Sequence, residues 1–139
     1  MPASQLNVEH LFTMTATTQQ IATVAGPQGT RVMVRVTGGT FEGPKLRGKV
    51  EDAGGDWVTV RPDGTFRLDV RVVLTTDDGA AILVSYNGIG RQEDGALRLR
   101  TAPTFETGDE RYAWLNGVQA VGLGQSGQGS VTYEVYQLL

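Results

Sequence analysis

The chain has 139 residues, 40% of them hydrophobic and 19% charged, with 19 glycines and a net charge of −3 at pH 7. That length suits a single β-domain over residues 1–139, and the acidic balance lacks the positive field that nucleic acid or an anionic membrane surface demands. With no cysteine and one histidine, His10, disulfides, thiol nucleophiles, thiolate-bound metals and paired-imidazole zinc sites are excluded.

No apolar run approaches the roughly 18 residues of a membrane span. The first ten residues lack the charged start and apolar centre of a signal peptide, so a cytoplasmic location is expected.

The hydrophobic period is two almost everywhere, and strands are predicted in chain order. Residues 8–19 come first, and Gly26-Pro-Gln-Gly29 then turns the chain into 31–41. Gly43-Pro44 precedes 46–51, and Ala53-Gly-Gly55 separates that strand from 56–61. Pro62-Asp-Gly64 leads into 65–76, Asp77-Asp-Gly79 into 80–87, and Glu93-Asp-Gly95 into 96–101. Strands over 111–123 and 130–138, joined by a glycine-rich segment, complete the chain. No window carries a 3.6-residue period and no helix of length follows a strand, so parallel crossovers are not expected. The reading is all-β: an antiparallel β-barrel of eight or nine strands, or a strongly curled sandwich.

Candidate chemistry begins at Asp56, beside Gly55 and Trp57. It serves either to hold a turn or, against an aromatic wall, as a proton donor or acceptor with a raised pKa. Between positions 65 and 74, Phe66, Leu68, Val70, Val72 and Leu74 share one strand face, and Arg67, Asp69 and Arg71 share the other. The charged face meets either water, as an ion-pair ladder, or the lumen, as a ligand site. Asp77-Asp78-Gly79 lacks the spaced oxygen ligands of a calcium loop and reads as a hairpin turn.

Tyr112, Trp114 and Asn116 alternate onto one face, which suits either a core aromatic layer or a pocket wall with one fixed amide. Asn116-Gly117 and Asn87-Gly88 are also turn dipeptides. Gly122-Leu-Gly-Gln-Ser-Gly127 matches the glycine spacing of a dinucleotide loop, but a strand follows where the phosphate needs a helix N-terminus. Ser126 lacks the second glycine of a nucleophile elbow, since position 128 is Gln.

Several motifs stand in an order that resembles the family of domain of unknown function 3237. They are Thr37-Gly-Gly-Thr-Phe41-Glu-Gly-Pro44, Leu46-Arg-Gly48, Gly55-Asp-Trp57, Pro62-Asp-Gly64, Leu68-Asp-Val-Arg71, Asp77-Asp-Gly79, Arg100-Thr-Ala-Pro-Thr-Phe-Glu-Thr-Gly108 and Tyr112-Ala-Trp-Leu-Asn116. The resemblance covers essentially the whole chain and implies an antiparallel barrel of the calycin or allene-oxide-cyclase type. It also implies that Asp69 and Arg71 form a pocket pair, whereas Arg67 falls outside the motifs and is left as surface. After Asn87-Gly88 the chain departs from the family pattern. Only Ile89 to Leu99 precede the Arg100 motif, which implies a shorter loop and a more open barrel mouth.

The expected function is a cofactor-independent acid/base enzyme, of isomerase, lyase or cyclase type. Its substrate is a small apolar or aromatic carbonyl or phenolic metabolite held in the lumen. Asp69 or Asp56 is the expected general acid or base, and Arg71 with Asn116 or Tyr112 the expected oxyanion stabiliser. Trp57, Tyr86, Trp114 and Phe41 are the expected walls. No metal or cofactor is called for, and nucleic acid and membrane are not expected partners, whereas a homodimer is allowed. The alternative is a lipocalin-like small-molecule binding protein without catalysis; a third reading is an assembly module whose charged face meets another subunit.

Overall fold

The computed structural model describes residues 2–139. Alternating apolar and polar side chains carry the chain through β1 (Val8–Gly26), β2 (Gly29–Glu42), β3 (Arg47–Val60), β4 (Phe66–Thr76) and β5 (Ala81–Glu93). They continue through β6 (Ala96–Thr101), β7 (Thr104–Glu106), β8 (Ala120–Ser126) and β9 (Ser130–Leu138). Neighbours pair antiparallel in the order β4-β3-β2-β1-β9-β8-β6-β5, and β4 pairs back onto β5. The sheet therefore closes as an eight-stranded antiparallel barrel, with β7 added outside on β5. Closure pairs most of the sheet edges that an open antiparallel wall would expose, and the end of β1 beyond Thr18 is left without a partner on its β9 side. Among the described residues, no helix is long and apolar enough to cross a membrane.

In β4, Leu68, Val70, Val72 and Leu74 are buried and Arg67, Asp69 and Arg71 are exposed, so the apolar stripe faces inward. Phe12, at the centre of the packed half, meets Phe41 edge-on at 5.6 Å and Phe105 at 6.1 Å. These offset contacts suit the ring quadrupoles and add to the area they bury.

The two barrel ends differ. One end carries the β2–β3 and β4–β5 turns and a short 3-10 helix over Glu110–Gly117, whose Leu115 is completely buried and plugs the barrel. The other end carries the β1–β2, β3–β4, β5–β6 and β8–β9 turns.

Three sequence expectations are corrected. The strand predicted over 111–123 is the 3-10 helix followed by β8. Asp109 caps that helix by accepting the Arg111 N–H at 3.0 Å, a local bond that favours a helical start over an extended chain. Ala53-Gly54-Gly55 is not a turn but an irregular stretch inside the continuous β3, where the register against β4 shifts between Val50 and Gly54. Gly54 adopts φ +93°, a conformation that side chains with a Cβ rarely take. Asn87-Gly88 is also no turn: it lies within β5, facing Asp69 and Leu68 of β4.

Candidate functional site

Inward-facing side chains of β2, β3, β4, β5, β6 and β9 leave a cavity of about 430 Å³ at the barrel end that carries the β3–β4 and β8–β9 turns, away from the Leu115 plug. Its walls are mostly valine and leucine, with Phe66 near the rim. Thr18 and Gln20 of β1 and Ser126, Gly127 and Gly129 of the β8–β9 turn border it. A largely apolar chamber with a few convergent polar groups is the usual form of a small-molecule site.

Asp56 is the one acid among these lining residues. Its inward orientation follows from register, because it lies between Val34 of β2 and Val70 of β4. The β3–β4 ladder is open between the Asp56–Val70 and Thr59–Arg67 pairs, and here the Asp56 carboxylate accepts the Asp69 backbone N–H at 3.1 Å. The carboxyl thus replaces a missing main-chain acceptor. Burial raises its pKa from 3.8 to about 6; the Asp69 amide pulls it down and the Asp69 charge pushes it up by smaller amounts.

Tyr86 of β5 and Tyr133 of β9 reach the same chamber and are both buried. Their rings meet edge-on at 5.5 Å. Burial pushes the Tyr86 phenol well above its usual range, with the neighbouring Tyr133 adding to the shift. Burial also raises Tyr133, although a bond with Tyr86 offsets part of the effect. Both phenols are therefore neutral hydrogen-bond donors near neutral pH.

Glycines on β8 make room for Tyr133. A Cβ at Gly124 would fall 2.4 Å from the Tyr133 Cε1 atom, and one at Gly122 would fall 2.3 Å from Thr101 Oγ1. The dinucleotide-like glycine spacing is thus a seat for an aromatic ring and a threonine. Thr101 Oγ1 itself is buried without a hydrogen-bond partner.

The chamber brings together two of the expected site residues, Asp56 and Tyr86. Asp69 and Arg71 lie on the outer wall, joined at 3.4 Å with side chains 52% and 64% exposed. Their place as a lumen pair is corrected: the apolar partners that alternate with them take the interior. Trp57, 52% exposed, alternates outward next to Asp56. Phe41 is buried in the packed half against Phe12 and does not line the chamber.

Tyr112, Trp114 and Asn116 sit on the 3-10 helix at the plugged end and line no part of the chamber. The Tyr112 hydroxyl donates to Asp78 at 2.9 Å, and Asp78 also accepts the Thr76 hydroxyl at 2.6 Å. Asn116 takes the Thr107 N–H at 2.8 Å and donates to the Thr107 carbonyl at 3.0 Å, imitating one rung of a β-ladder. Trp114 lies under the Lys45 ammonium at 5.4 Å. These contacts fasten the plug.

Tyr133 is the site residue that sequence reasoning missed. The signal was present in Val131, Tyr133 and Val135, which alternate onto one strand face opposite the glycines of β8. Among the described residues, no group of three or more His, Cys, Asp or Glu side chains is placed to hold a metal ion.

Fold and site together define a small closed β-barrel with an apolar chamber open at one end and a carboxyl–phenol group in its wall. The chain belongs to the family described as "Protein of unknown function (DUF3237)", whose profile matches residues 6–138. A UPF0311 protein of Rhodopseudomonas palustris is 32% identical over 150 aligned positions, covering 96% of this chain and 97% of that protein. The crystal structure of a conserved R. palustris protein of unknown function superposes with a TM-score of 0.91 at 28% identity, covering 99% of this chain and all of that one. The hydroalkoxylation enzyme phnH of Penicillium herquei is 38% identical over 93 residues, 66% of this chain and 56% of the fungal protein. The crystal structure of an enzyme from the same fungus superposes with a TM-score of 0.73 at 28% identity, covering 100% of this chain and 98% of that one.

Proposed function

We propose that the chain is a cofactor-independent acid/base enzyme that adds a substrate hydroxyl across a carbon–carbon double bond within one small, neutral, largely apolar phenolic molecule. The observation that carries this reading is Asp56, an acid with its pKa raised to about 6 in an apolar chamber beside two neutral phenols. A group poised near neutral pH is present in both proton-loaded and proton-free forms, as general acid–base catalysis requires. The likeness to a fungal protein named a hydroalkoxylation enzyme supports addition chemistry over other proton transfers.

Asp56 delivers a proton to one alkene carbon, the substrate oxygen bonds to the other, and the hydroxyl proton returns to the carboxylate. The product is an isomer of the substrate, so no oxidant or second reactant enters. Tyr86 and Tyr133 donate hydrogen bonds to the substrate oxygen and orient it. No lysine, arginine or histidine is among the residues lining the chamber, which disfavours carboxylate- or phosphate-bearing substrates.

The test is incubation with ortho-allylphenols in deuterated water, followed by NMR of the dihydrobenzofuran products. Cyclisation with deuterium at the protonated carbon, lost in Asp56→Asn, is the expected result. Binding of the probes without conversion by the unaltered chain would favour the carrier reading instead.

A further inference from the structure

β1 has two edges, and they are paired over different stretches of its length. β2 covers one edge from Thr13 to Gly26, whereas β9 covers the other only from Val8 to Thr17. The Thr18 N–H to Gly129 carbonyl bond, 3.0 Å long, is the last contact on that side. Beyond it, residues 19–26 are exposed without interruption, with Ile21 at 52% and Val24 at 61%. An exposed strand with free N–H and C=O groups is a template for another strand.

Natural barrels blunt such edges with lysine, proline or inward charge. Here no charged residue occurs from position 11 to position 30, and Pro27 lies in the turn outside the strand. One blunting device is present, a register shift between Gln20 and Ala22, but Ala22 to Gly26 return to unbroken register with Met33 to Gly29. That five-residue segment presents a regular, charge-free edge.

We propose that this edge pairs with the same edge of a second copy of the chain, antiparallel about a two-fold axis at Val24. An antiparallel strand set against itself matches donors to acceptors automatically, and a two-fold contact uses one patch twice. Ala22 then faces Gly26 of the partner subunit, and the two Val24 side chains meet directly, where branched apolar pairs stabilise a ladder. The absence of charge on the edge favours a self-identical partner over an acidic or basic one. Thr18 and Gln20, at the base of the same arm, border the chamber mouth, so pairing braces that rim.

Sedimentation of the full chain from low to high micromolar concentration tests this, together with hydrogen exchange of the arm amides. The expected species has twice the 14.9 kDa chain mass, with concentration-dependent protection over residues 22–26. Val24→Lys sets two like charges opposite each other and is expected to weaken association about ten-fold or more, while Val24→Thr retains it. Circular dichroism checks that both variants keep the barrel. A mass of one chain at the highest concentration, or a dimer indifferent to Val24→Lys, overturns the proposal.

Discussion

The Asp56 carboxylate accepts the backbone N–H of Asp69 at 3.1 Å, while the Asp69 side chain turns out of the barrel to meet Arg71 at 3.4 Å. One acid is thereby held in the lumen by the main chain of the other. Their side chains occupy opposite faces of the same wall, and their substitutions separate cleanly.

Asp56→Asn keeps an oxygen acceptor for the Asp69 amide and removes the titrating proton. Conversion of ortho-allylphenols is expected to fall by about a hundred- to ten-thousand-fold, the range for loss of a general acid or base. Single-turnover rates of the two proteins, compared at saturating probe, measure it.

Asp56 also sets a pH dependence of stability. Its folded pKa, about 6, lies above its unfolded value of 3.8, so between these values the folded chain holds the proton more tightly. Its contribution to stability is full below about pH 4, is lost as pH rises through 6, and is flat above. A shift of about 2 units corresponds to a loss on the order of 3 kcal/mol. Urea unfolding between pH 4 and pH 8 is expected to show this fall in the unaltered chain and a much flatter profile in Asp56→Asn.

Asp69→Asn and Arg71→Ala remove an exposed ion pair. Each is expected to change stability by less than about 1 kcal/mol and to leave conversion within about two-fold. A hundred-fold loss of conversion in either variant, with chamber binding intact, would return the outer face to the mechanism.

Gly124→Ala places a methyl group 2.4 Å from the Tyr133 ring, which must move. Overpacking of this kind costs about 1–3 kcal/mol, and a ring displaced towards the chamber narrows it. Reduced unfolding midpoint, altered near-ultraviolet circular dichroism and weaker probe binding are the expected signs. Tyr133→Phe keeps the ring in place and isolates the hydroxyl.

Asn116→Ala strips the Thr107 N–H and carbonyl of their side-chain partner and is expected to destabilise the barrel by about 1–3 kcal/mol. Because the plug lies at the end away from the chamber, probe affinity measured well below the unfolding midpoint is expected to stay unchanged.

The barrel was legible in the alternation of Leu68, Val70, Val72 and Leu74 and in turn signals such as Asp77-Asp-Gly79. The same alternation also contained the answer for Asp69 and Arg71, since a barrel that buries Val70 must expose its neighbours. Family motifs drew them inward because a shared pattern does not distinguish a wall face from a lumen face. Asp56 was harder to orient, because reading Ala53-Gly-Gly55 as a turn broke the alternation, whereas the irregular stretch adds two residues to β3 against β4 and so keeps Asp56 and Val58 on the inward parity of Val50. Tyr112, Trp114 and Asn116 imitated a strand through spacing alone. What bends them into a helix is local capping by Asp109 and a distant pairing with Thr107, neither visible as periodicity. The seat of Tyr133 depends on Gly124 across a strand pair, a relation between two positions that neither position reveals by itself.

Leu115 stoppers one end of the barrel, so the chamber is a room with one door. On the proposed chemistry the product is an isomer of the substrate, and it must leave by the opening through which the next substrate enters. Traffic through that doorway is therefore exclusive. Product acts as a competitive inhibitor, and changes to the rim residues Thr18 and Gln20 alter turnover through the pace of exit without touching the proton transfer itself.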